Sequence, residues 1–210
     1  WYNSSMSFLS NIFSIFSKQS QSVLGIDIGS SAIKVVQIKK KRGKAVLETY
    51  GELALGPYGG VEVGRSTNLS VEKTIEALRD ILREAKTTTT SAGVALPLSS
   101  SLISFIQVPP VPEKQLAEVV SLEARKYIPV PMSEVMLDYS VIPKEETYAV
   151  DDDNQEKQVE KRTQDVLVVA IHNEYLNSYQ MITTGANVQP GFYEIEIFSS
   201  IRAVVEQGIQ

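Results

Sequence analysis

The sequence predicts a mixed α/β fold, and three observations carry that prediction. Residues 23–38, "VLGIDIGSSAIKVVQI", form an apolar run that breaks at a tight bend and then resumes as an alternating pattern, which predicts two antiparallel strands. Amphipathic helical patterns then alternate with strand patterns. After Pro97 a strand, helix, strand, strand pattern interrupts the alternation. We therefore expect an α/β (α+β) fold with a module inserted at residues 98–172.

The composition excludes several function classes. The 210 residues are 43% hydrophobic and 21% charged, which is typical of a soluble globular protein. A net charge of -5 argues against a nucleic-acid partner, since such proteins carry a basic surface. Because the chain has no cysteine and a single histidine, disulfides, thiol catalysis and a histidine-rich metal site are excluded.

Residues 1–22 are interpreted as a segment outside the fold. Met6 is the expected natural start, and from Phe8 to Phe16 apolar residues recur at helical spacing. We expect an amphipathic helix that docks on its own domain or on a partner. Membrane contact is an alternative, although its polar face carries serines where interfacial helices favour Lys and Arg, and disorder is another. Residues 18–22 form a linker.

The first module continues with a third strand at residues 45–55, "AVLETYGELAL", and a Gly/Pro-rich loop. Ser70 then caps a helix that has Glu72 in its first turn. A short buried strand, "AGVALP", follows at residues 92–97.

The inserted module begins with a strand that runs into prolines at residues 101–112. A helix is predicted over residues 113–128, entered through Pro112, and a strand over residues 134–143. The charged residues 144–164 are interpreted as a solvated hairpin loop before the apolar strand "DVLVVAI". We expect the helix to lie on one face of a three-stranded sheet.

The remainder returns to α/β alternation. The patterns predict a helix at residues 173–186, a strand at residues 188–197 and a helix at residues 198–208.

The bend at the start of the fold has the composition of a phosphate site. Gly29, Ser30 and Ser31 offer backbone N–H groups, hydroxyls and close approach to a ligand. Lys34 is placed to contact phosphate oxygens, while Asp27 suits Mg²⁺ held through water. An ordinary hairpin turn is the competing interpretation, because neither a Walker A loop nor G-x-G-x-x-G is present.

These residues resemble the first phosphate loop of the actin, Hsp70 and sugar-kinase superfamily. A more particular resemblance runs from about Val23 through "VPPVPEKQLAEVVSLEARKYIPVP" to "EIEIFSSIRAV". Over that length the chain is similar to PilM-type proteins, the actin-like components of type IV pilus and related secretion machines, which are relatives of the division protein FtsA.

The resemblance implies an actin-like fold, with residues 23–97 and 173–210 as subdomain 1A and residues 98–172 as subdomain 1C. It implies ATP with Mg²⁺ bound by Asp27 and its loop, and a cytoplasmic location at the periphery of the inner membrane. It also implies that the cytoplasmic tail of a PilN-like membrane protein docks in a groove between 1A and 1C, alongside contacts with other pilus-assembly components. The partner-binding residues are then Tyr127, Ile128 and Pro129 of "YIPVP".

The segment "EIEIFSSIRAV" resembles the Glu-Pro-x-Ala-Ala stretch of Hsp70-like members. The resemblance places Glu196 where a carboxylate positions a metal-bound water, which makes Glu196 and Asp27 the candidate catalytic residues. Two observations compete with this assignment: proline is absent, and Glu194 lies two residues away on the same predicted strand face.

The superfamily's second phosphate loop and its adenosine motif do not occur in these 210 residues. The resemblance therefore covers an N-terminal half, from which we expect at most slow ATP hydrolysis and no activity alone. Three alternatives stay open: a sugar or acyl kinase of the same superfamily, an FtsA-like membrane adaptor of cell division, and a structural adaptor whose loop binds no nucleotide.

Overall fold

The computed structural model describes residues 22–143, 148–150, 156–158 and 163–205. The chain divides into two compact units. The first unit holds the residues up to Ser100 and those from Glu174 onward, and the second unit is Ser101–Asn173. Their identification with subdomains 1A and 1C stays a prediction. Residues 8–16, where the amphipathic helix is predicted, lie outside the described residues.

The first unit contains a five-stranded mixed sheet. Its strands are β1 (Ser22–Ile28), β2 (Ala32–Lys41), β3 (Lys44–Ala54), β4 (Ser91–Leu96) and β10 (Gln189–Ile195). The spatial order is β10-β4-β1-β2-β3. β1, β2 and β3 pair antiparallel in succession, as predicted, while β4 runs parallel to both β1 and β10.

Strand register assigns the side chains of this sheet to two faces. One face is apolar and fully buried, and its members on the central strands are Leu24, Ile26, Ile28, Ile33, Val35, Ala92, Val94 and Leu96. The other face carries Asp27 opposite Lys34 on β1 and β2, and Ala95 and Glu194 on β4 and β10. All the first-unit residues of the candidate site that lie on strands therefore share one face.

Two helices complete the core of the first unit. α1 (Val71–Glu84) begins at the predicted cap, where the hydroxyl oxygen of Ser70 accepts a hydrogen bond from the Lys73 amide at 3.4 Å. The hydroxyl of Thr49 on β3 donates to the Ala85 carbonyl at 2.6 Å, just after the last residue of α1. α3 (Asn173–Gly185) meets α1 at Gly185, where a Cβ atom would lie 2.5 Å from Cδ1 of Ile75.

The second unit has the predicted strand, helix, strand, strand order. A sheet in the order β5-β9-β6 is formed by β5 (Ser101–Val108), β6 (Val135–Ile142) and β9 (Gln164–His172). A separate two-stranded pair, β7 (Tyr148–Val150) and β8 (Glu156–Gln158), lies within the predicted hairpin loop. The helix α2 (Glu113–Ala124) contributes to the core with Leu116, Val120 and Ala124, which pack with Ile106, Val108, Ile128, Val166, Val168 and Ala170.

Two predicted boundaries are wrong. α2 ends at Ala124 instead of continuing to residue 128. Pro129 explains part of this, because a proline disfavours helical backbone at the residue before it. The strand predicted to run to residue 197 ends at Ile195, and Glu196 is the first residue of α4 (Glu196–Val204). An acidic side chain is favourable in a first helical turn because of the helix dipole.

Within the described ranges, no helix is both long enough and apolar enough to cross a bilayer.

Candidate nucleotide and partner sites

The β1–β2 hairpin presents hydrogen-bond donors at its tip. The Gly29 amide closes the turn by donating to the Ala32 carbonyl at 3.0 Å, and a Cβ at Gly29 would lie 3.1 Å from that same oxygen. In the part of the chain that the structure describes, the N–H groups and hydroxyls of Ser30 and Ser31 have no hydrogen-bond partner. Four donors are thus available to a ligand, whereas the Gly29 amide is already used.

Asp27 is the second-last residue of β1, beside this tip, and faces Lys34 across the hairpin. The carboxyl is half-buried, and this burial is the main cause that raises the pKa of Asp27 above its usual value. The negative charge of Glu196 raises that pKa further, and the positive charge of Lys34 opposes the rise. Two carboxylates that repel each other favour a bound cation, and here they lie next to free hydrogen-bond donors.

Glu196 approaches Asp27 because of the parallel strand order. β1, β4 and β10 run in the same direction, so their carboxyl ends meet at one edge of the sheet. Oε1 of Glu196 accepts a hydrogen bond from the Leu98 amide at 3.0 Å, which ties the start of α4 to the turn after β4. Among the described side chains, three or more potential metal ligands do not come together anywhere. The charge of Glu196 acts on Asp27, so the two carboxylates lie within electrostatic range of each other.

Glu194 has a structural partner that the sequence analysis missed. The side chain is 5% exposed, and both its carboxylate oxygens accept hydrogen bonds from Arg202 of α4, one of them at 2.6 Å from Nη1. A buried carboxylate paired in this two-pronged way is held in place. Glu194 is therefore committed to Arg202, and Glu196 is the acidic residue nearer to solvent. No motif in the sequence links residues 194 and 202.

The Gly/Pro-rich loop between β3 and α1 supports the hairpin tip, which was also not predicted. The Leu55 amide donates to the Ser31 carbonyl at 2.8 Å, and the Thr67 amide donates to the Ser30 carbonyl at 2.9 Å. The loop itself is fastened to α1, since the Tyr58 hydroxyl donates to Oδ2 of Asp80 at 2.6 Å. The carbonyls of the two serines are thus both bound by this loop.

A cavity of about 380 Å³ lies on the sheet face that carries Asp27. Its charged residues, Asp27, Lys34, Glu194 and Arg202, are grouped towards the carboxyl end of β1. Further along the strands the lining becomes small and apolar, with Val23, Gly25, Val36, Ile38, Gly93 and Phe192. The cavity therefore opens from the charged cluster onto an apolar floor.

The predicted partner segment lies in the second unit, directly after α2. Tyr127 is 49% exposed and Pro129 is also exposed, whereas Ile128 is 7% exposed and belongs to the core of its unit. The buried side chain of Ile128 anchors the segment to the core of its unit and does not form part of an exposed surface. Contact with a partner is therefore available to Tyr127 and Pro129 and not to Ile128.

The described elements define a mixed α/β protein with a candidate site at the strand ends of its first unit. The family model described as type IV pilus assembly protein PilM matches residues 25–209. The chain belongs to this family, and its predicted resemblance to PilM-type proteins and its α/β fold class are confirmed.

Two solved structures share the fold. A chain of the PilM-PilN type IV pilus biogenesis complex matches with a TM-score of 0.66 and 26% identity, over 86% of this chain and 49% of that one. The cytoplasmic domain of EpsL from Vibrio cholerae, an inner-membrane component of the type II secretion system, matches with a TM-score of 0.51 and 15% identity, over 82% of this chain and 57% of that one. The present chain thus spans about half the length of the PilM chain.

Proposed function

We propose that this chain is part of an ATP-binding scaffold for type IV pilus assembly, which docks the cytoplasmic tail of a PilN-like inner-membrane protein. Membership of the PilM family and the match to a PilM-PilN complex support the pilus role and the partner. They favour a scaffold over a sugar or acyl kinase and over a division adaptor. The corresponding location is cytoplasmic, at the periphery of the inner membrane.

One observation supports the nucleotide part most directly. The unpaired donors of Ser30 and Ser31 lie beside a half-buried Asp27 that Glu196 repels and Lys34 attracts. Phosphate oxygens match the donors, and a divalent cation matches the two carboxylates. The donors and carboxylates together therefore fit a nucleotide bound with its metal better than they fit a phosphate group alone or a metal ion alone.

Each residue has a distinct role in this proposal. Ser30 and Ser31 bind phosphate oxygens through amides and hydroxyls, and Gly29 keeps the turn narrow enough for that approach. Lys34 adds one positive charge. Asp27 would hold Mg²⁺ through water, and Glu196 would position a water for slow hydrolysis. Bound Mg²⁺ supplies charge neutralisation on the phosphate oxygens.

The partner part rests on the exposed residues that follow α2. Tyr127 and Pro129 offer an aromatic ring and a rigid apolar ring without a backbone donor, which are common in peptide-binding surfaces. We infer that the PilN-like tail contacts this segment, and that other pilus components bind elsewhere on the scaffold.

Calorimetric titration of ATP·Mg²⁺ into the full-length protein tests the nucleotide part. Replacing Lys34 with Ala removes a contact to a charged group, so the Kd is expected to rise about tenfold or more. Lys40→Ala is the matched control, because Lys40 is exposed on the same strand at its far end. An unmodified full-length protein that binds no ATP·Mg²⁺ would refute the nucleotide role.

A further inference from the structure

The end of β1 is held by a buried tyrosine of α3. Tyr179 is 8% exposed, and its hydroxyl donates a hydrogen bond to the Ile28 carbonyl at 3.2 Å. Ile28 lies between Asp27 and the glycine of the hairpin tip, so this bond acts on the backbone between the carboxylate and the free donors.

The effect of this hydrogen bond depends on the neighbouring N–H group, that of Gly29. The Ile28 carbonyl and the Gly29 N–H belong to one planar peptide unit. The carbonyl accepts from Tyr179, and the N–H donates to the Ala32 carbonyl at 3.0 Å. These two hydrogen bonds restrain the rotation of the peptide plane. The orientation of that plane sets the direction in which the chain continues towards Ser30.

The electrostatic surroundings of Tyr179 agree with this placement. Burial raises the pKa of the Tyr179 hydroxyl above its usual value, and the charges of Asp27 and Glu196 raise it further. The hydroxyl therefore keeps its proton and remains a donor, and it lies within electrostatic range of both candidate catalytic carboxylates.

Packing alone does not require the hydroxyl. Phenylalanine would fill almost the same volume in the core, but it would leave the buried Ile28 carbonyl without its donor. Tyr193 provides a comparison in the same unit, because its hydroxyl also makes a hydrogen bond, but to the Thr183 hydroxyl of α3, at 3.0 Å.

We propose that Tyr179 is a positioning residue of the nucleotide site. Its hydroxyl orients the peptide between Ile28 and Gly29, and so holds the Asp27 carboxylate and the Ser30 and Ser31 donors in the arrangement that binds phosphate and metal. This inference rests on the nucleotide function proposed above.

The test compares Tyr179→Phe with Tyr193→Phe in the full-length protein. Each variant loses one tyrosine hydroxyl, so similar small losses in thermal stability are expected. Only Tyr179→Phe is expected to raise the Kd for ATP·Mg²⁺ in calorimetry, by about fivefold or more, as for one hydrogen bond. A second readout uses no nucleotide: amide hydrogen exchange at Gly29 is expected to accelerate by a similar factor in Tyr179→Phe alone.

The outcomes separate the two proposals. If the unmodified protein binds ATP·Mg²⁺ and Tyr179→Phe binds it equally well, the positioning role is wrong and the nucleotide function stands. If the unmodified protein binds no ATP·Mg²⁺, both are wrong. Loss of affinity together with faster exchange at Gly29, against an unaffected Tyr193→Phe, supports the positioning role.

Discussion

At the scale of single residues, the candidate site combines two features. One is a charge that lowers folding stability, and the other is a set of hydrogen-bond donors without a partner among the described residues. Burial and the repulsion from Glu196 raise the pKa of Asp27, so the protonated carboxyl is more favoured in the folded chain than in the unfolded chain. Within the described residues, the donors of Ser30 and Ser31 have no partner. A carboxyl whose pKa is raised by burial and a like charge is typical of functional sites.

Asp27→Asn tests this conflict between stability and function. Because the folded-state pKa is raised, the stability contribution of Asp27 is full below its unfolded pKa and is lost as pH rises through the folded pKa. At neutral pH the nucleotide-free variant is therefore expected to melt at a higher temperature than the unmodified protein. Its ATP·Mg²⁺ affinity is expected to fall by about tenfold or more, since a carboxylate near the metal is lost.

Differential scanning fluorimetry between pH 4 and pH 8 measures the first part, and calorimetry the second. Glu118→Gln is the control, because Glu118 is an exposed carboxylate on α2 of the second unit. A variant that melts lower than the unmodified protein, or keeps full affinity, contradicts the assignment of Asp27.

At the scale of elements, the hairpin tip depends on the Gly/Pro-rich loop before α1. That loop donates to the carbonyls of Ser30 and Ser31, and Tyr58 fastens it to Asp80 of α1. The loop packs tightly against itself, since a Cβ at Gly56 would lie 2.1 Å from the Glu62 carbonyl oxygen. The loop therefore holds the hairpin tip through the tip's carbonyl groups.

Tyr58→Phe removes the hydrogen bond from Tyr58 to Asp80. It is expected to destabilise the fold by about 1 kcal/mol, the usual net value of one hydrogen bond. Burial, and then the hydrogen bond to Asp80, raise the pKa of Tyr58 to about 12. A raised pKa means that this contribution is complete below the unfolded value of 10.0 and is lost as pH rises towards 12. Urea denaturation at pH 8 and pH 11 should show the difference between variant and unmodified protein shrinking at pH 11. An equal difference at both pH values contradicts the assigned bond.

Sequence patterns predicted most elements, because alternation, capping and Pro/Gly punctuation are local properties. The three antiparallel strands and the Ser70 cap were found in this way. The Glu194–Arg202 pair and the Tyr179 bond to Ile28 were not, since they depend on how helices pack against strands. The end of α2 was misplaced because four residues continue the helical pattern while the backbone already turns before Pro129.

At the scale of the whole molecule, the proposed nucleotide residues and the predicted partner segment belong to different units. Asp27 to Lys34 lie in the first unit and Tyr127 to Pro129 in the second. The chain spans about half of the PilM chain that it matches. A scaffold of this kind is regulated if nucleotide binding changes its affinity for the partner.

Tyr127→Ala is expected to weaken binding of a PilN-like cytoplasmic tail peptide by about tenfold, because exposed aromatic anchors dominate peptide affinity. ATP·Mg²⁺ affinity should be unchanged. Tyr50→Ala is the matched control, since Tyr50 is an exposed tyrosine on β3 of the first unit. Fluorescence anisotropy of the labelled peptide measures both variants. Equal peptide affinity for Tyr127→Ala and the control would remove this segment from the docking surface.

The measurement that tests the central claim most directly is calorimetric titration of the PilN-like tail peptide. The peptide is titrated into the full-length protein and into its Asp27→Ala variant, each with and without ATP·Mg²⁺. The account predicts that ATP·Mg²⁺ changes the peptide Kd of the unmodified protein and leaves that of the variant unchanged. An identical Kd in all four titrations would show that the protein is a structural adaptor whose hairpin does not gate partner binding.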